Sequence, residues 1–329
     1  MKIKIGYVRK AATGVLGAAM AIGCLPGNQG PEPGDEVAYP VLQSTGPKKR
    51  VGVVEFVNNS QRGGARLAKN ASDAMTEFLV KSKAFIVFER DRMAQVMKEQ
   101  GLSMSGAISS ETAVKAGELM GLNAIIVGQV EDYDEKIDRT NIFGVWQVKR
   151  TARALVRVRI IDTTTGQILL ADSGEGMKTE EGGGIGYTGS VSYDENLGKK
   201  ALNQALAKLI NNIFGSMDKQ AWSGRVAAVE AGKVYINAGQ SMGITLQDRF
   251  EVREAGRMIK DPVTKMAIGY TKGNKKGELQ AVDVQAEMTS CIAARGSVSD
   301  LKVNDQVYLV PRPVVSPAAA GGAGGGGQP

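Results

Sequence analysis

The hydrophobic pattern divides the chain into two segments of different texture. From about Arg50 to Met217, apolar runs of strand length alternate with longer stretches whose apolar residues recur every three or four positions. This mixture predicts an α/β (α+β) domain, with a small sheet flanked by helices. From about Asp218 to Pro313 the apolar runs are short and separated by glycines, which predicts a small all-β barrel domain.

The first segment contains expected strands and helices in a mixed order. The strands are apolar and often β-branched, at Val51–Val57, Phe85–Phe88, Ala124–Val130, Leu155–Asp162 and Gln167–Asp172. The helices have apolar residues at helical spacing, at Leu67–Leu79, Asp91–Met97, Glu111–Met120 and Leu197–Phe214. Ser110 is expected to cap the third helix, and Leu206 and Leu209 are expected to be buried in the fourth.

Short strands separated by glycine turns are expected throughout the second segment. They are at Gly224–Val229, Lys233–Ile236, Arg249–Arg253, Ala267–Gly273, Leu279–Val284, Ser290–Arg295 and Gln306–Val310. No stretch of helical periodicity interrupts them, in keeping with an all-β domain.

The N-terminus has the layout of a lipoprotein signal peptide, assigned to residues 1–23. The basic stretch Met1–Lys10 precedes 13 small and apolar residues, Ala11–Gly23, which are too few to span a bilayer. The sequence Ala21-Ile22-Gly23-Cys24 then fits cleavage before Cys24 and its lipidation with diacylglyceryl and N-acyl (palmitate-type) chains, which hold a protein on a membrane. The alternative is an ordinary cleaved signal with an incidental cysteine.

Low-complexity segments flank the two domains, which are assigned to residues 50–217 and 218–313. Residues 24–49 contain five prolines and four glycines, which indicates a tether from Cys24. Fully extended, such a tether reaches roughly 80 Å. Residues 314–329 are rich in alanine and glycine and form a low-complexity tail.

Composition argues against the common enzyme classes. The chain has no histidine, which excludes the Ser-His-Asp triad, the Cys-His pair and histidine-ligated zinc or haem. Its two cysteines, Cys24 and Cys291, cannot form a CxxC motif. The formal net charge of +7 falls to about +3 without the four basic residues of the signal peptide, so no nucleic-acid partner is expected.

Two glycine motifs resemble chemical signatures but lack the required context. Gly239–Gly243 has the spacing of a nucleophile elbow, which needs a histidine base, so it is expected to be a turn. Gly184–Gly189 has the GxGxxG spacing, but extended residues follow it where a dinucleotide fingerprint would open a helix. We therefore assign no catalytic residue, no metal site and no cofactor, and expect the protein not to be an enzyme.

Two charged clusters are interpreted as solvated surfaces. Acidic residues gather at the expected end of the third strand, Glu131, Asp132, Asp134 and Glu135. Basic residues share one face of the next strand, Arg153, Arg157 and Arg159, opposite the apolar residues of its other face. A half-buried strand with a wet basic face explains the arginines, and a contact with an acidic surface of a neighbouring subunit is the alternative.

The order of these elements, together with particular sequences, resembles a known family. The most specific pieces are Phe88-Glu89-Arg90, Asn123–Gln129 (NAIIVGQ) and Ile160–Leu169 (IIDTTTGQIL). Together with the lipoprotein cleavage sequence Ala21–Cys24 and with Val51–Ser60 (VGVVEFVNNS), they resemble the CsgG family of outer-membrane lipoproteins, best known for secreting curli subunits. The resemblance covers about Arg50–Phe214. The segment after it resembles, more weakly, the small β domain that ends FlgT-type flagellar proteins.

The resemblance implies a ring of subunits. In pore-forming members, two inserted hairpins assemble across subunits into a large barrel. The corresponding stretches here, Glu135–Arg150 and Thr179–Asn196, are short for membrane-spanning strands of about 9–11 residues each, and Gly182–Gly184 predicts a loose loop. A spanning hairpin that takes extra length from the flanking strands is the alternative. We expect a cyclic homo-oligomer whose hairpins lie at or just below the membrane surface. The expected contacts between subunits are Ile185, Tyr187, Val191 and Tyr193.

The resemblance also assigns a loop to the inside of the ring. In the family, the loop between the first strand and the first helix narrows the pore, and here that loop is Asn58–Ala65 (NNSQRGGA). It is short and has no aromatic residue. The residues expected to line a ring are Asn58, Asn59, Ser60, Gln61 and Arg62.

Two functions remain open on the sequence. The first is a lipid-anchored component of a secretion or assembly apparatus on the periplasmic side of the outer membrane, with secreted or envelope proteins as partners. The alternative is a periplasmic lipoprotein without a pore, which docks on a flagellar or peptidoglycan-synthesis machine and regulates it.

Overall fold

The computed structural model describes residues 42, 44, 46–102, 108–185, 195–263, 267–271 and 273–311. The predicted signal peptide, Cys24, most of the tether and the C-terminal tail lie outside these residues. Within them, a mixed sheet with helices on both faces is followed by a closed β-barrel. The predicted fold class, an α/β domain followed by a small all-β barrel, is confirmed.

The sheet of the first domain combines parallel and antiparallel pairing. Its strands are β1 Lys49–Val53, β2 Val57–Asn58, β3 Phe85–Phe88, β4 Ala124–Ile142, β5 Val145–Asp162 and β6 Ile168–Ile185. Its helices are α1 Gly64–Lys81, α2 Arg90–Glu99, α3 Ser110–Met120 and α4 Glu195–Asp218. The strand order is β3-β1-β4-β5-β6, with β1 parallel to both of its neighbours, and β2 adds to β4 in parallel. β4, β5 and β6 form an antiparallel meander.

Helices bury both faces of this sheet. On one face, α1 and α4 pack against β1, β4 and β5 in one continuous apolar core. On the other, α2 and α3 cover a smaller cluster around Met93, Met97 and Ile125. The predicted burial of α4 is confirmed, since Leu206 and Leu209 are 0% and 1% exposed.

Two glycines of β6 allow α4 to lie directly on the strand. A Cβ atom at Gly174 would lie 2.2 Å from the carbonyl oxygen of Ala205, and one at Gly176 would lie 2.0 Å from that of Ala201. Backbone atoms of a packed helix cannot yield by that much, so only glycine fits at these two positions.

One helix boundary differs from the prediction. The side chain that caps α3 belongs to Ser109, whose hydroxyl accepts a hydrogen bond from the backbone N–H of Thr112 at 3.1 Å. Ser110, expected as the cap, is the first helical residue, so that prediction was wrong by one position. The C-terminal end is as expected, with Gly121 in the left-handed conformation at φ 66°.

β4, β5 and β6 are far longer than predicted. The stretch Glu135–Arg150 continues β4 and β5 through an unbroken ladder that ends at the pair Ile142 and Val145. Gly182–Gly184, expected to form a loose loop, belongs to β6 and pairs with β5. That expectation was wrong because the ladder is built from backbone groups, which glycine supplies as well as any residue. The acidic cluster beginning at Glu131 therefore lies within β4 and not at a strand end.

The second domain is a closed barrel of six antiparallel strands. Its strands are β7 Ser223–Glu230, β8 Lys233–Ile236, β9 Arg249–Arg253, β12 Lys275–Val284, β13 Thr289–Arg295 and β14 Gln306–Leu309. They close in the order β12-β13-β8-β7-β14-β9, while β10 Met258–Lys260 and β11 Ala267–Tyr270 form a separate hairpin. The motif Gly239–Gly243 is a turn, as expected: Gln240–Met242 forms one 3-10 turn and Gly243 has φ 91°.

The barrel is attached where β1 and β4 begin. The amide of Asn123 donates to the carbonyl oxygen of Ser223 at 2.6 Å, and the backbone N–H of Lys48 donates to that of Met242 at 2.7 Å. β1 begins at Lys49, so the last residues of the segment assigned to the tether are part of the folded structure.

Candidate functional site

The most distinctive feature of the molecule is a three-stranded extension of the sheet, which we call the ribbon. It consists of Glu131–Ile142 of β4, Val145–Val156 of β5 and Gly174–Ile185 of β6. On the outer side of β4, strand pairing with β1 and β2 ends at Val130. Twelve residues of strand extend about 40 Å, so the ribbon is as long as a small domain is wide.

One face of the ribbon is packed against the molecule. Tyr133, Val148, Ala152 and Ala154 on this face are all less than 5% exposed. The hydroxyl of Tyr133 donates to a carboxylate oxygen of Glu135 at 2.5 Å, so its polar end is satisfied. α4 runs along this face, which explains why small residues alternate along β5 there.

The opposite face, which we call the open face, carries rows of opposite charge across the strands. The guanidinium of Arg153 donates to Glu175 of β6 at 2.6 Å, and Lys149 lies 3.5 Å from Glu181. Arg157 lies 3.1 Å from Glu131 of β4. The Arg153 contact lowers the pKa of Glu175 and raises that of Arg153 through their hydrogen bond.

These ion pairs involve two arginines of the basic face predicted for β5. Arg153 and Arg157 form ion pairs with Glu175 and Glu131 of the same chain and stay about half exposed, as expected for the wet face of a half-buried strand. Exposed pairs of this kind contribute little to stability individually, but they fix the charge pattern of the surface. Charged and polar side chains therefore cover most of the open face, with the exposed Met177 among them.

The two long edges of the ribbon are treated differently by the fold. At the base of β6, side chains of α4 occupy the outward backbone groups: Gln204 accepts from the N–H of Met177 at 2.8 Å, and Lys208 donates to the carbonyl of Glu175 at 2.6 Å. Beyond Met177, the outer edge of β6 has no strand partner among the described residues. The outer edge of β4 from Glu135 to Arg139 has none either in the described part of the chain. Exposed edges of this length are templates for pairing with another strand.

The tip of the ribbon is apolar and exposed. It is made by Ile142, Phe143, Val145 and Trp146, with exposures of 58%, 101%, 48% and 37%. Phe143 and Gly144 have φ 51° and 81°, the pattern of a two-residue type I′ turn. A phenylalanine in the left-handed region is unusual, because that turn favours asparagine or glycine.

The tip was missed by the sequence analysis. Its signal is the segment Ile142–Trp146, in which five residues, four of them large and apolar, follow the polar run that ends β4. An apolar segment of this kind is equally typical of a buried element. It is exposed here only because it lies at the end of a long ribbon.

The loop expected to line a ring is ordered by its own hydrogen bonds. Asn58 pairs with Val130 as part of β2, and its side-chain amide donates to the carbonyl oxygens of Arg62 and Gly64 at 2.8 and 3.0 Å. Ser60 donates to Asn58, and Asn59 contacts Gln129. Gln61 is exposed.

This loop and the ribbon are neighbours. Arg62 lies 3.5 Å from the carboxylate of Asp134, at the base of the free edge of β4. The loop is thus brought to the start of the ribbon.

The residues expected to join subunits are only partly described. Ile185 is the last residue of β6 and pairs with Val145 beside the tip. Tyr187, Val191 and Tyr193 lie outside the described residues, as does Cys24. In the described segments, no helix is both long and apolar enough to cross a membrane, and no three acidic or cysteine side chains are grouped to hold a metal ion.

Comparison with known proteins assigns the family. Residues 39–247 match the family described as curli production assembly/transport component CsgG. A Neisseria meningitidis serogroup B protein whose name classes it as a lipoprotein is 24% identical over 231 residues, covering 65% of this chain and 98% of that protein.

Solved structures show partial likeness at low identity. Lipoprotein GNA1162 from Neisseria meningitidis is 16% identical, with a TM-score of 0.29 over 52% of this chain and 99% of its own. The LpoB C-terminal domain from Escherichia coli is 12% identical, with a TM-score of 0.30 over 41% of this chain and 86% of its own. The PelC dodecamer from Paraburkholderia phytofirmans is 15% identical, with a TM-score of 0.26 over 51% and 90%.

The family match spans well over half of the chain and includes the whole sheet domain with its ribbon. It ends inside the barrel, at residue 247, so the further resemblance of the barrel to FlgT-type proteins stays a prediction. The chain belongs to the CsgG family.

Proposed function

We propose that the protein is a lipid-anchored, oligomeric component of a secretion or assembly apparatus, held on the periplasmic side of the outer membrane through Cys24. The observation that carries this proposal is the ribbon, a long strand assembly with two open edges and an apolar tip. Its partners would be secreted or envelope proteins, for curli-like or other envelope structures.

The open edges support assembly through strand pairing. Identical copies that meet head to tail close into a ring when the rotation between them permits. β4 and β6 both run from the base of the ribbon to its tip, so direct pairing of these edges between copies would be parallel. Tyr187, Val191 and Tyr193, which follow Ile185 in the sequence, remain the predicted contacts between subunits in this proposal.

The charges on the open face argue that the ribbons do not cross lipid. Asp134, Lys136, Asp138 and Lys149 are all exposed on or beside the ribbon's middle. A charged side chain facing lipid at the bilayer centre costs roughly 2–4 kcal/mol. We therefore place the ribbons in water, with only the tip at the membrane surface, where aromatic side chains such as Trp146 partition readily.

The test uses the difference between inward and outward backbone groups of β4. In a two-residue hairpin, Ile142 and Val145 exchange both backbone hydrogen bonds. Every second residue of β4, counted back from Asn141, therefore points its backbone N–H group away from β5. Arg139 is one of these. Arg139→Pro removes an outward donor and leaves the ladder with β5 intact, whereas Arg139→Ala keeps the donor and serves as the control.

Detergent-extracted full-length protein is then studied by light scattering and negative-stain microscopy. We expect rings for the natural protein and for Arg139→Ala, and folded monomers for Arg139→Pro and for the double variant Tyr187→Asp, Tyr193→Asp. A natural protein that is monomeric at micromolar concentration would contradict the proposal.

The small apolar tip also favours a second function, that of a docking module. Four apolar side chains on a rigid ribbon would also suit a groove on one partner protein, as expected of a periplasmic docking module without a pore. Crosslinking from Phe143 in cells separates the two, since copies of the same chain and lipid are captured in the first case and a different envelope protein in the second.

A further inference from the structure

A polar pocket lies between the two domains, at the opposite end of the sheet from the tip. Residues from both domains line it, including Lys49, Asp162, Met217, Ser223 and Tyr308, and its volume is about 160 Å³. β4 has 19 residues, which places the pocket roughly 60 Å from the tip of the ribbon. It is therefore separate from the surface assigned to assembly.

Lys49 is the unusual residue of this pocket. Its side chain starts at the first position of β1 and is 7% exposed. No hydrogen bond or ion pair joins its ammonium group to any described residue. The pKa of Lys49 is lowered by burial, and the more distant charge of Asp218 opposes this only in part. A cation on a largely buried side chain without a hydrogen-bonding partner is costly, and a group perturbed by burial in a cleft is a candidate for a binding site.

Asp162 supplies the second polar group. One of its carboxylate oxygens, Oδ1, accepts from the backbone N–H groups of Thr164 and Thr165 at 2.6 and 3.2 Å, which fixes the turn between β5 and β6. The pKa of Asp162 is raised, chiefly by burial. The hydroxyls of Thr164 and Thr165 also act on the carboxylate as donors. The backbone bonds engage only Oδ1, so Oδ2 keeps capacity to accept a hydrogen bond from a molecule in the pocket.

The wall between these groups is partly apolar. Leu169 at the start of β6 and Met217 at the end of α4 line the same pocket. A cation, an acceptor and a short apolar surface together match a molecule with a carboxylate, a small hydrocarbon portion and a hydrogen-bond donor.

We propose that this pocket binds a small carboxylic acid that carries a hydrogen-bond donor, such as an amino acid or a hydroxy acid. The carboxylate contacts Lys49, the hydrocarbon portion lies against Met217, and the amine or hydroxyl donates to Asp162. Since residues of both domains line the pocket, the bound molecule bridges them. This inference does not depend on the proposed ring.

The test compares three probes of equal carbon number, alanine, lactate and propionate, by calorimetric titration into the full-length protein. We expect saturable binding of alanine and lactate, and binding of propionate weaker by about tenfold because it lacks the donor. Absence of saturable binding for all three up to about 10 mM, a level that detects even weak sites, would overturn the proposal.

Variants assign the two contacts. Lys49→Met should weaken lactate binding by at least about tenfold, while Lys219→Met, a change at an exposed lysine near the same end of α4, should leave it unchanged. Asp162→Asn keeps an acceptor for the turn and should reduce the preference for lactate over propionate. Unaltered binding in Lys49→Met would overturn the proposal.

Stability gives an independent readout. In the ligand-free protein, Lys49 is largely buried without a hydrogen-bonding partner. Lys49→Met should therefore raise the Tm of the ligand-free protein by about 2–4 °C. A lowered Tm would identify the lysine as a structural residue and would also overturn the proposal.

Discussion

Arg50 donates a hydrogen bond from its guanidinium group to the backbone carbonyl oxygen of Asn237 at 2.9 Å, and so fastens the first strand of the sheet domain to the barrel. The same group lies 3.2 Å from the carboxylate of Glu287. The Arg50 side chain is 16% exposed and that of Glu287 is 67% exposed, so the two contacts differ in their surroundings. Burial lowers the pKa of Arg50, and the charge of Glu287 raises it in part.

We predict that the carbonyl contact matters more than the ion pair. Arg50→Ala should reduce the free energy of unfolding by about 1–3 kcal/mol, because it leaves a carbonyl group at the joint without its donor. Glu287→Gln should cost less than about 0.5 kcal/mol, since water screens an exposed carboxylate. Urea unfolding followed by tryptophan fluorescence measures both, and equal losses would contradict this ranking.

The contact between α4 and β6 gives a second prediction. Gly176→Ala should lower stability by about 1–3 kcal/mol, because the added methyl group meets the backbone of α4 and the helix must move outward. Gly182→Ala is the matched control in the same strand, where nothing lies within 4 Å of the added atom. Thermal melts of the two variants should differ clearly, and identical melts would show that the helix yields freely.

The buried thiol of Cys291 gives a pH-dependent prediction. The Cys291 side chain is 0% exposed, and burial raises the pKa of the thiol to about 12. Reaction with a thiol reagent at neutral or mildly alkaline pH should therefore require unfolding.

The sign of the stability effect follows from the same shift. The unfolded chain releases this proton at lower pH than the folded chain, so stability from this group should fall as pH rises above about 9, by about 1.4 kcal/mol for each pH unit. Cys291→Ala should remove this part of the pH dependence. Urea titrations at several alkaline pH values check it, and the same slope in both proteins would contradict it.

The turn at the tip gives the last prediction. Phe143→Asn places a residue that favours the left-handed conformation at φ 51°, and should raise stability by about 1 kcal/mol. It also removes the most exposed apolar side chain of the tip, so in a Cys24→Ala background, which lacks the proposed lipid anchor, flotation with liposomes should weaken. Gain of stability with loss of membrane association would show that Phe143 is kept for binding, whereas unchanged flotation would remove the tip from the membrane surface.

Much of the secondary structure was predictable because it depends on neighbours along the chain. The strand Phe85–Phe88 is a continuous apolar run, the helix around Leu206 has apolar residues at helical spacing, and both are found where expected. The family could also be recognised from the sequence. Asn123–Gln129 (NAIIVGQ) and Ile160–Leu169 (IIDTTTGQIL) are short local sequences that can be identified without knowledge of the fold.

The sequence by itself determined the two domains' classes and the placement of most helices and strands. The length of the ribbon's strands depended on tertiary structure, because backbone pairing holds them and the side chains of the open face show no alternation of apolar residues that would predict strands. Tertiary structure also decided the joint and the pocket. Arg50 and Asn237 are 187 positions apart, and Lys49 and Asp162 come to line one pocket only because β1 and β5 pack with the barrel. Contacts between distant residues leave no periodic trace in either segment.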